Sequence, residues 1–456
     1  MFGPTSFQMS TKHAILSILL ILAPFVTCQS NSYLQEDQQK YLDRFDSLIA
    51  DSYAEPIPAE MRAMCAKQAK LPATIPEISI PSDMNSDAAQ KICSPAATCI
   101  IPAGVTVSMN SNLNVGRLIV RGTLIWTDTT QVVAAQWLCA GIVAVEDNGQ
   151  FKMNVALKKA IIYVKSNSAT HDILGTRVFG GVTTTASKPG FPVIDIAGRK
   201  LERTWSLLSQ AAATGESAIR LMHNPGYMGW TVGDRIVIAP TTHGSTGTAS
   251  NHVIKSIAGN TVTLTTPLLQ SFTFATQYGY ATGNAGIMSA EVINLTRSIL
   301  MTGDDFEHVP CTSLLNNPSL PPAICTYGAH FSMALGGLLK LQYTRLEKCG
   351  QRGVKGKYCV HMHMMSNCPD CLVKGNAVEF GQQRGITIHG THLSTVEDNV
   401  LNDIRGVGLY IEDGNEMYNN VLYNVVICPW ALDGPKGGCS VPGTPYINLR
   451  NRSRPS

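Results

Sequence analysis

Apolar and polar residues alternate over short stretches along most of the chain from about residue 93. In one such stretch, Val105, Val107 and Met109 alternate with a threonine and a serine. Glycines interrupt these runs every few residues, as turns between short strands require. Strands that bury one face in this way predict an all-β fold, with a β-sandwich or β-roll over residues 93–284.

A repeat of about 20–25 residues accompanies the alternation in the last third of the chain. The segments KYCVHMHM, RGITIHG and RGVGLYIEDG resemble one another, and Asn376, Asn399 and Asn420 recur at a similar interval. Such a period predicts stacked coils, here a right-handed parallel β-helix over residues 285–430, followed by a C-terminal tail over 431–456. Equivalent asparagines in successive coils predict an amide ladder.

The N-terminal part has a different pattern. An apolar run over residues 14–22, followed by small residues up to Cys28, is typical of a secretory signal peptide over 1–28. Residues 29–92 form a polar prefix, in which helical spacing over 34–49 predicts a short helix before a proline-rich linker. No later apolar run reaches the roughly 18 residues of a membrane span, so we expect a secreted chain without a stable span.

Charge and cysteine content narrow the class of protein further. The 456 residues carry a formal net charge of +3, which is too small to indicate a nucleic acid as partner. Of the 13 cysteines, all but Cys28 belong to the mature chain, and their even number predicts disulfides. Cys311 with Cys325 and Cys428 with Cys439 are candidate loop-closing pairs.

Several segments follow the order seen in one protein family. The segment IPAGVTVSMNSNLNVGRLIVRGTLIW resembles the heart of the G-eight domain, named for its eight glycines. WTVGDRIVIAP, CGQRGVKGKYCVHMHM, RGITIHG and GLYIEDG then follow, so that residues 95–427 resemble G-eight proteins with an appended β-helix. This family includes hyaluronidases and fibrocystin-like proteins. The resemblance implies that the β-sandwich or β-roll is a G-eight domain and that the chain acts on or binds an extracellular glycan, without fixing its activity.

Strand alternation selects the candidate site residues, because successive side chains of a strand point to opposite faces. Val360 and Met362 are apolar and are expected to point into the coil, so the histidines beside them point outward. The other residues expected to point inward are Ile386, Ile388, Val407, Leu409 and Ile411. The candidate catalytic residues are His361, His363, His389, Tyr410, Glu412 and Asp413.

Alignment of the three similar segments predicts how these side chains meet. It places His363, His389 and Tyr410 in one column, beside a column of His361, Thr387 and Gly408. Neighbouring strands are about 4.8 Å apart, so the columns are expected to form one shallow groove.

Three interpretations of this cluster stay open. A histidine and a carboxyl group can transfer protons in hydrolysis or elimination of a glycan, and Tyr410 can donate a proton or stack on a sugar ring. Alternatively, His361, His363, His389 and Asp413, or Glu412 in place of Asp413, have the residue types of a divalent-cation site. The histidines can also form a purely structural ladder. Cys368 and Cys371 are expected to be oxidised in a secreted chain, which argues against a zinc site that uses them.

Two functions from different classes are compatible with these features. The first is a secreted, hyaluronidase-like enzyme that cleaves extracellular polysaccharide. The second is a non-catalytic module that binds a glycan or a cell-surface glycoprotein. Sequons at Asn294 and Asn451 are compatible with glycosylation of the chain itself.

Overall fold

Short strands stacked in parallel make up most of the structure. The computed structural model describes residues 57–65, 70–72, 74–184, 190–241, 250–278, 286–311 and 323–427. The predicted signal peptide, the predicted helix over 34–49 and the C-terminal tail lie outside the described residues. The same holds for Asn451, for the pair Cys428–Cys439 and for the side chains of Cys311 and Cys325.

Three long sheets, which we call A, B and C, contain most of the described strands. Sheet A consists of β1 Glu77–Ser79, β3 Thr98–Ile101, β6 Arg117–Val120, β9 Ile142–Glu146, β14 Val178–Val182, β27 His330–Ala334, β31 Val360–Asn367, β34 Ile386–His392 and β37 Leu409–Ile411. Sheet B consists of β2 Met84–Asn85, β4 Thr106–Ser108, β7 Thr123–Thr127, β10 Gln150–Asn154, β15 Val193–Ala197, β28 Leu338–Gln342, β32 Leu372–Lys374, β35 Thr395–Glu397 and β38 Asn420–Leu422. Sheet C consists of β5 Leu113–Asn114, β8 Ala135–Ala140, β11 Lys159–Val164, β24 Ile299–Gly303, β29 Thr344–Cys349, β33 Ala377–Gly381, β36 Val400–Ile404 and β39 Val425–Ile427.

Each coil adds one strand to sheets A and B and, after the first coil, one to sheet C, and neighbouring coils pair in parallel. In sheet A, for example, Val360 pairs with Ile386, and Ile386 pairs with Leu409. The all-β fold and the right-handed parallel β-helix predicted from the sequence are thus confirmed. The inward positions of successive strands fill one continuous apolar core, to which Met362 and Ile388 belong.

The last described coil departs from the predicted burial. Ile411 is 45% exposed rather than buried, and Leu409 is only partly buried. Both residues belong to β37, which has β34 on one side and no further strand of sheet A on the other among the described residues. A side chain at the last strand of a stack lacks the neighbour that would cover it.

The β-helix begins much earlier than the expected boundary at residue 285. Strands β3, β6, β9 and β14 pair in parallel and continue directly into β27 of the same sheet. The segment expected to be a β-sandwich or β-roll therefore supplies the first coils of the β-helix. Its alternating pattern is the same in both architectures, since each buries one face of every strand.

An antiparallel insert interrupts the coils between Ala197 and Ile299. Its main sheet contains β16 Trp205–Leu207, β17 Ala218–Arg220, β18 Arg235–Ile238, β19 Ser250–Ala258, β20 Thr261–Leu264 and β23 Glu291–Asn294, and a hairpin contains β21 Phe274–Tyr278 and β22 Gly286–Ser289. Asn294 is fully buried there, and its Nδ2 donates to Asp234 Oδ2 at 2.8 Å. The sequon at Asn294 is therefore inaccessible to a glycan in the folded chain.

Short elements decorate the coils. They are the helices α1 Ala59–Cys65 and α2 Ser86–Ile92, the pair β12 Thr170–His171 and β13 Gly175–Thr176, and the sheet of β25 Glu307–Cys311, β26 Ala323–Tyr327 and β30 Gln351–Arg352. Helix α2 lies in the polar prefix, where Asn85 accepts the N–H of Ala88 at 2.9 Å as an N-cap.

The asparagine ladder forms with a different third member from the one expected. Asn376 Nδ2 donates to Asn399 Oδ1 at 2.9 Å, and Asn399 Nδ2 donates to Asn424 Oδ1 at 2.9 Å. Asn420, the predicted third member, is an exposed residue of β38. Coils differ in length by a few residues, so a fixed period misplaces a residue near the end of the series.

Disulfides join all eight cysteine side chains that the structure describes. The pairs are Cys65–Cys139, Cys93–Cys99, Cys349–Cys359 and Cys368–Cys371. The prediction of an oxidised chain is confirmed for these residues. Because Cys368 and Cys371 are bonded to each other, they are unavailable as metal ligands, as the sequence predicted.

Candidate functional site

The candidate residues lie on the outer face of sheet A, on β31, β34 and β37. His363 pairs with His389, and His361 pairs with Thr387. Tyr410 pairs with Thr387 and not with His389, so the predicted column of His363, His389 and Tyr410 is wrong by two residues. A shift of two residues keeps every side chain on the same face, and alternation alone therefore cannot detect it.

With this register, Glu412 follows β37 at the position next to His389. The Glu412 N–H donates to the carbonyl of Ile388 at 3.0 Å, which continues the pairing of the two strands. Gly408, the predicted neighbour of Thr387, is placed beside β39 instead, where an added Cβ would lie 2.5 Å from Val426. We call His361, His363, His389, Glu412 and Asp413 the histidine site.

The three imidazoles of the histidine site touch one another. Nδ1 of His363 lies 2.9 Å from Nδ1 of His389. The ring centroids of His361 and His363 are 4.8 Å apart, and the rings of His361 and His389 are stacked with 5.9 Å between centroids. One nitrogen from each ring lies within 4.8 Å of one nitrogen from each of the others, so the three side chains converge on one small volume.

His361 is buried, although its strand position predicts an outward side chain at the surface. Its ring is 2% exposed, because the turn that carries Gly356 folds over it, and Nδ1 donates to the carbonyl of Gly356 at 2.9 Å. The Cys349–Cys359 disulfide closes the base of this turn. Burial, with the neighbouring charge of His363 as a smaller cause, keeps the pKa of His361 well below its ordinary value.

Glu412 is held by two residues that sequence reasoning missed. Nη1 of Arg384 lies 3.0 Å from Glu412 Oε1, and the hydroxyl of Tyr358 donates to the same oxygen at 3.1 Å. Arg384 Nη1 also lies 2.7 Å from the Tyr358 hydroxyl. The signal for Arg384 was present, since an Arg-Gly pair opens both RGITIHG and RGVGLYIEDG, but such a pair is also common in turns.

Tyr410 lies beside the histidine site rather than within its column. The guanidinium carbon of Arg384 sits 3.7 Å from the centre of the Tyr410 ring, and 4.8 Å from that of Tyr358. Arg384 is thus sandwiched between two aromatic rings while it neutralises Glu412. Burial, offset in part by the charge of Arg384, raises the pKa of Tyr358, so its hydroxyl stays protonated and acts as a donor.

Asp413 closes the exposed side of the histidine site. Its Oδ2 lies 3.0 Å from Nε2 of His389, and its side chain is 51% exposed. His363 is partly buried, and burial together with the charge of His389 lowers its pKa, so that His363 is neutral at pH 7. The site thus combines three imidazoles, one buried and compensated carboxylate, and one carboxylate open to solvent.

Comparison with known proteins supports the resemblance seen in the sequence. Residues 326–432 match the family described as CEMIP beta-helix. Human fibrocystin-L is 29% identical over 274 residues, which cover 54% of this chain and 6% of that protein. The rliB protein of Dictyostelium discoideum is 26% identical over 280 residues, with 61% of this chain and 22% of that protein covered. A G-eight domain-containing protein of the same organism matches to the same extent, with 26% identity over 280 residues.

The chain spans about a fifth or less of the length of these relatives. Among solved structures, a Pseudomonas phage tailspike aligns at 13% identity with a TM-score of 0.18, covering 57% of this chain and 37% of the tailspike. A likeness this weak adds nothing to the assignment.

No helix in the described ranges combines the length and the apolar character needed to cross a membrane. The CEMIP-type match over residues 326–432, the G-eight relatives and the parallel coils together show that the chain is similar to G-eight and parallel β-helix proteins, among them fibrocystin-L.

Proposed function

We propose that this protein acts outside the cell on a polysaccharide and that the histidine site cleaves glycosidic bonds. The observation that carries the proposal is the convergence of three imidazoles and two carboxylates on one face of the β-helix. Such groups can transfer protons during cleavage of a glycosidic bond. Their place on the outer face of the β-helix suits a long polysaccharide that lies along the coils.

The extracellular part of the proposal rests on the disulfides. Four disulfides join the described cysteines, and such bonds persist in oxidising compartments. The apolar N-terminal run with the pattern of a signal peptide supports the same location.

The residues suggest a division of roles. Asp413 is half-exposed and anchored on His389, so its carboxylate can take a proton from an attacking water or from a sugar hydroxyl. Tyr410 is partly exposed and can donate a proton or contact a sugar ring. Arg384 and Tyr358 hold Glu412 from the protein side, which leaves its second oxygen directed at the histidines. Glu412 therefore places a buried carboxylate beside the histidines, while Asp413 faces the substrate.

Cleavage is tested by incubating the secreted protein with size-defined polysaccharides, hyaluronan and neutral glucans included, and measuring chain length. We expect one of them to shorten, and His389→Ala to reduce the rate by about 100-fold or more, the range of general acid–base effects. His392→Ala is the matched control, because His392 lies on the same strand and accepts the Met417 N–H at 2.9 Å, outside the histidine site. Unchanged cleavage by the His389 variant would place the chemistry elsewhere.

A non-catalytic glycan-binding role is the second candidate, and an open groove favours it. The groove lies at the N-terminal end of the outer face of sheet A, and its lining includes Arg117, Arg121, Glu146 and His171. Glu146 is bonded to Arg121 Nε at 2.8 Å and lies 3.2 Å from His171 Nε2, so charges in this groove are largely balanced. Binding of a polysaccharide without shortening, weakened by Arg117→Ala but not by His389→Ala, would identify this role.

A further inference from the structure

We propose that the histidine site is a divalent-cation site whose ligands are Nε2 of His361, Nδ1 of His363, Nδ1 of His389 and Oε2 of Glu412. The proposal deepens the proposed function, because it names the ion that the same site would use. Of the two carboxylates that the sequence leaves open as the fourth ligand, Glu412 and Asp413, the geometry points to Glu412.

Two buried atoms at the centre of the site have no hydrogen-bond partner among the described residues. They are Nε2 of His361 and Oε2 of Glu412. These atoms lie 3.8 Å apart, and Oε2 is also 3.8 Å from Nδ1 of His389, too far for a hydrogen bond in either case. Buried polar atoms are nearly always satisfied, and one cation between these two acceptors would satisfy both of them.

The separations lie on either side of the spacing between ligands of one tetrahedral ion. For metal–ligand bonds of about 2.1 Å, tetrahedral ligand atoms are about 3.4 Å apart. Nδ1 of His363 and Nδ1 of His389 are 2.9 Å apart, slightly closer than this spacing. The two separations of 3.8 Å to Glu412 Oε2 are slightly wider, so small side-chain adjustments would accompany binding of an ion.

Outer contacts already fix the tautomers that a metal requires. Nδ1 of His361 donates to the Gly356 carbonyl, which leaves the lone pair of Nε2 directed inward. Nε2 of His389 meets Asp413 Oδ2 at 3.0 Å, which leaves the lone pair of Nδ1 directed inward. A carbonyl or a carboxylate behind each ligating histidine is the usual support of a metal site, and Asp413 takes this outer position here.

Glu412 has a comparable support. Arg384 and Tyr358 both engage Oε1, so the carboxylate can offer Oε2 alone to a metal. Without an ion, the two Nδ1 atoms at 2.9 Å must share one proton, because two lone pairs at that distance repel. Binding of a cation would displace this proton and satisfy both unpaired buried atoms at once.

The ligand set selects the class of cation. Three imidazole nitrogens and one carboxylate oxygen suit Zn²⁺ and the neighbouring transition metals, whereas Ca²⁺ and Mg²⁺ take oxygen ligands. When bound, such an ion would activate a water molecule or polarise a sugar oxygen. Asp413, held at the exposed side of the site, would then accept the proton released there.

The test is to measure metal binding directly. The protein is stripped with a chelator and titrated with Zn²⁺ and with Co²⁺ against a chromophoric competitor, and metal content is determined by elemental analysis. We expect one ion per chain, visible absorption bands from Co²⁺, and no comparable binding of Ca²⁺. His389→Gln and Glu412→Gln should each weaken Zn²⁺ binding by 100-fold or more, and Asp413→Asn by about 10- to 100-fold, the usual effect of an outer partner.

His392→Gln is the control, and it should bind Zn²⁺ as the unmodified protein does. Circular dichroism and urea unfolding of each variant separate a lost ligand from a lost fold. Absence of stoichiometric Zn²⁺ or Co²⁺ binding, or equal affinity in the His389 and Glu412 variants, would overturn the proposal. The outcome is independent of turnover: stoichiometric binding without polysaccharide cleavage sinks only the proposed function, and cleavage by a protein that binds neither Zn²⁺ nor Co²⁺ sinks only the cation site.

Discussion

Replacing Arg384 with methionine removes the counter-charge of Glu412 while keeping most of the side-chain volume. In the native chain Arg384 Nη1 lies 3.0 Å from Glu412 Oε1 and 2.7 Å from the Tyr358 hydroxyl. Only 5% of the Arg384 side chain and 9% of the Glu412 side chain are exposed. Solvent can therefore do little to compensate for the lost charge, and we expect a large loss of stability in metal-free protein.

The size of this loss has two bounds. Removing one partner of a buried ion pair typically costs about 3–5 kcal/mol. The carboxyl can instead take up a proton, and for an ordinary carboxyl with a pKa of about 4.3 this costs about 3.7 kcal/mol at pH 7 and about 1 kcal/mol at pH 5. Arg384→Met should therefore lower the free energy of unfolding by about 3–4 kcal/mol at pH 7 and by much less at pH 5.

Urea unfolding at both pH values, with a chelator present, measures the difference. Hydrogen exchange of residues 358–412 shows whether the loss is local to the coils of the histidine site. The matched control is the double variant Arg384→Met with Glu412→Gln, which removes both charges and should recover most of the stability at pH 7. A deficit below about 1 kcal/mol at pH 7, or one that is equal at pH 5, would refute the reasoning that Glu412 is a charged group that depends on Arg384.

Three further predictions concern the coils. Asn399→Ala breaks four hydrogen bonds of a fully buried amide and should cost about 3–5 kcal/mol in urea unfolding, whereas Asn424→Ala, at the partly exposed end of the ladder, should cost less than half of that. Burial and the charge of Lys357 keep the pKa of His330 well below its ordinary value, so the unfolded chain binds a proton that the folded chain does not. Stability should then fall as pH drops below about 6.5, by up to about 1.4 kcal/mol per pH unit from this group, and His330→Gln should flatten that slope. Alkylation without reduction, read by mass spectrometry, should leave all four described cysteine pairs unlabelled, and wide labelling would contradict the oxidised fold.

The sequence predicted which side chains of a strand point inward better than it predicted which residues of neighbouring strands pair. Alternation correctly directs Met362 and Ile388 into the core, because the side-chain period of a strand is a local property. The register between coils depends instead on how many residues each turn contains. A difference of two residues moved Tyr410 from His389 to Thr387, and a similar drift exchanged Asn420 for Asn424 in the ladder.

The sequence did not predict that the first coils belong to the β-helix, and the reason is related. Strands β9 and β14 are neighbours in sheet A, but β14 and its next neighbour β27 are separated in sequence by the insert between Ala197 and Ile299. No regular period survives such an interruption. Long-range parallel pairings, such as that of Val178 with His330 and that of Val193 with Leu338, show that both halves belong to one β-helix.

The turn at Gly356 covers one side of the histidine site and so limits the direction from which a ligand can reach it. It buries His361 from above, and the Cys349–Cys359 disulfide ties that turn to the coils beneath it. Arg384 and Tyr358 close the opposite flank around Glu412. Asp413, with half of its side chain in solvent, is the only member of the histidine site that is more than partly exposed within the described chain. Under the proposed function, a polysaccharide would therefore approach across Asp413 and the partly exposed edge of His389, and the buried residues of the histidine site would not need to move.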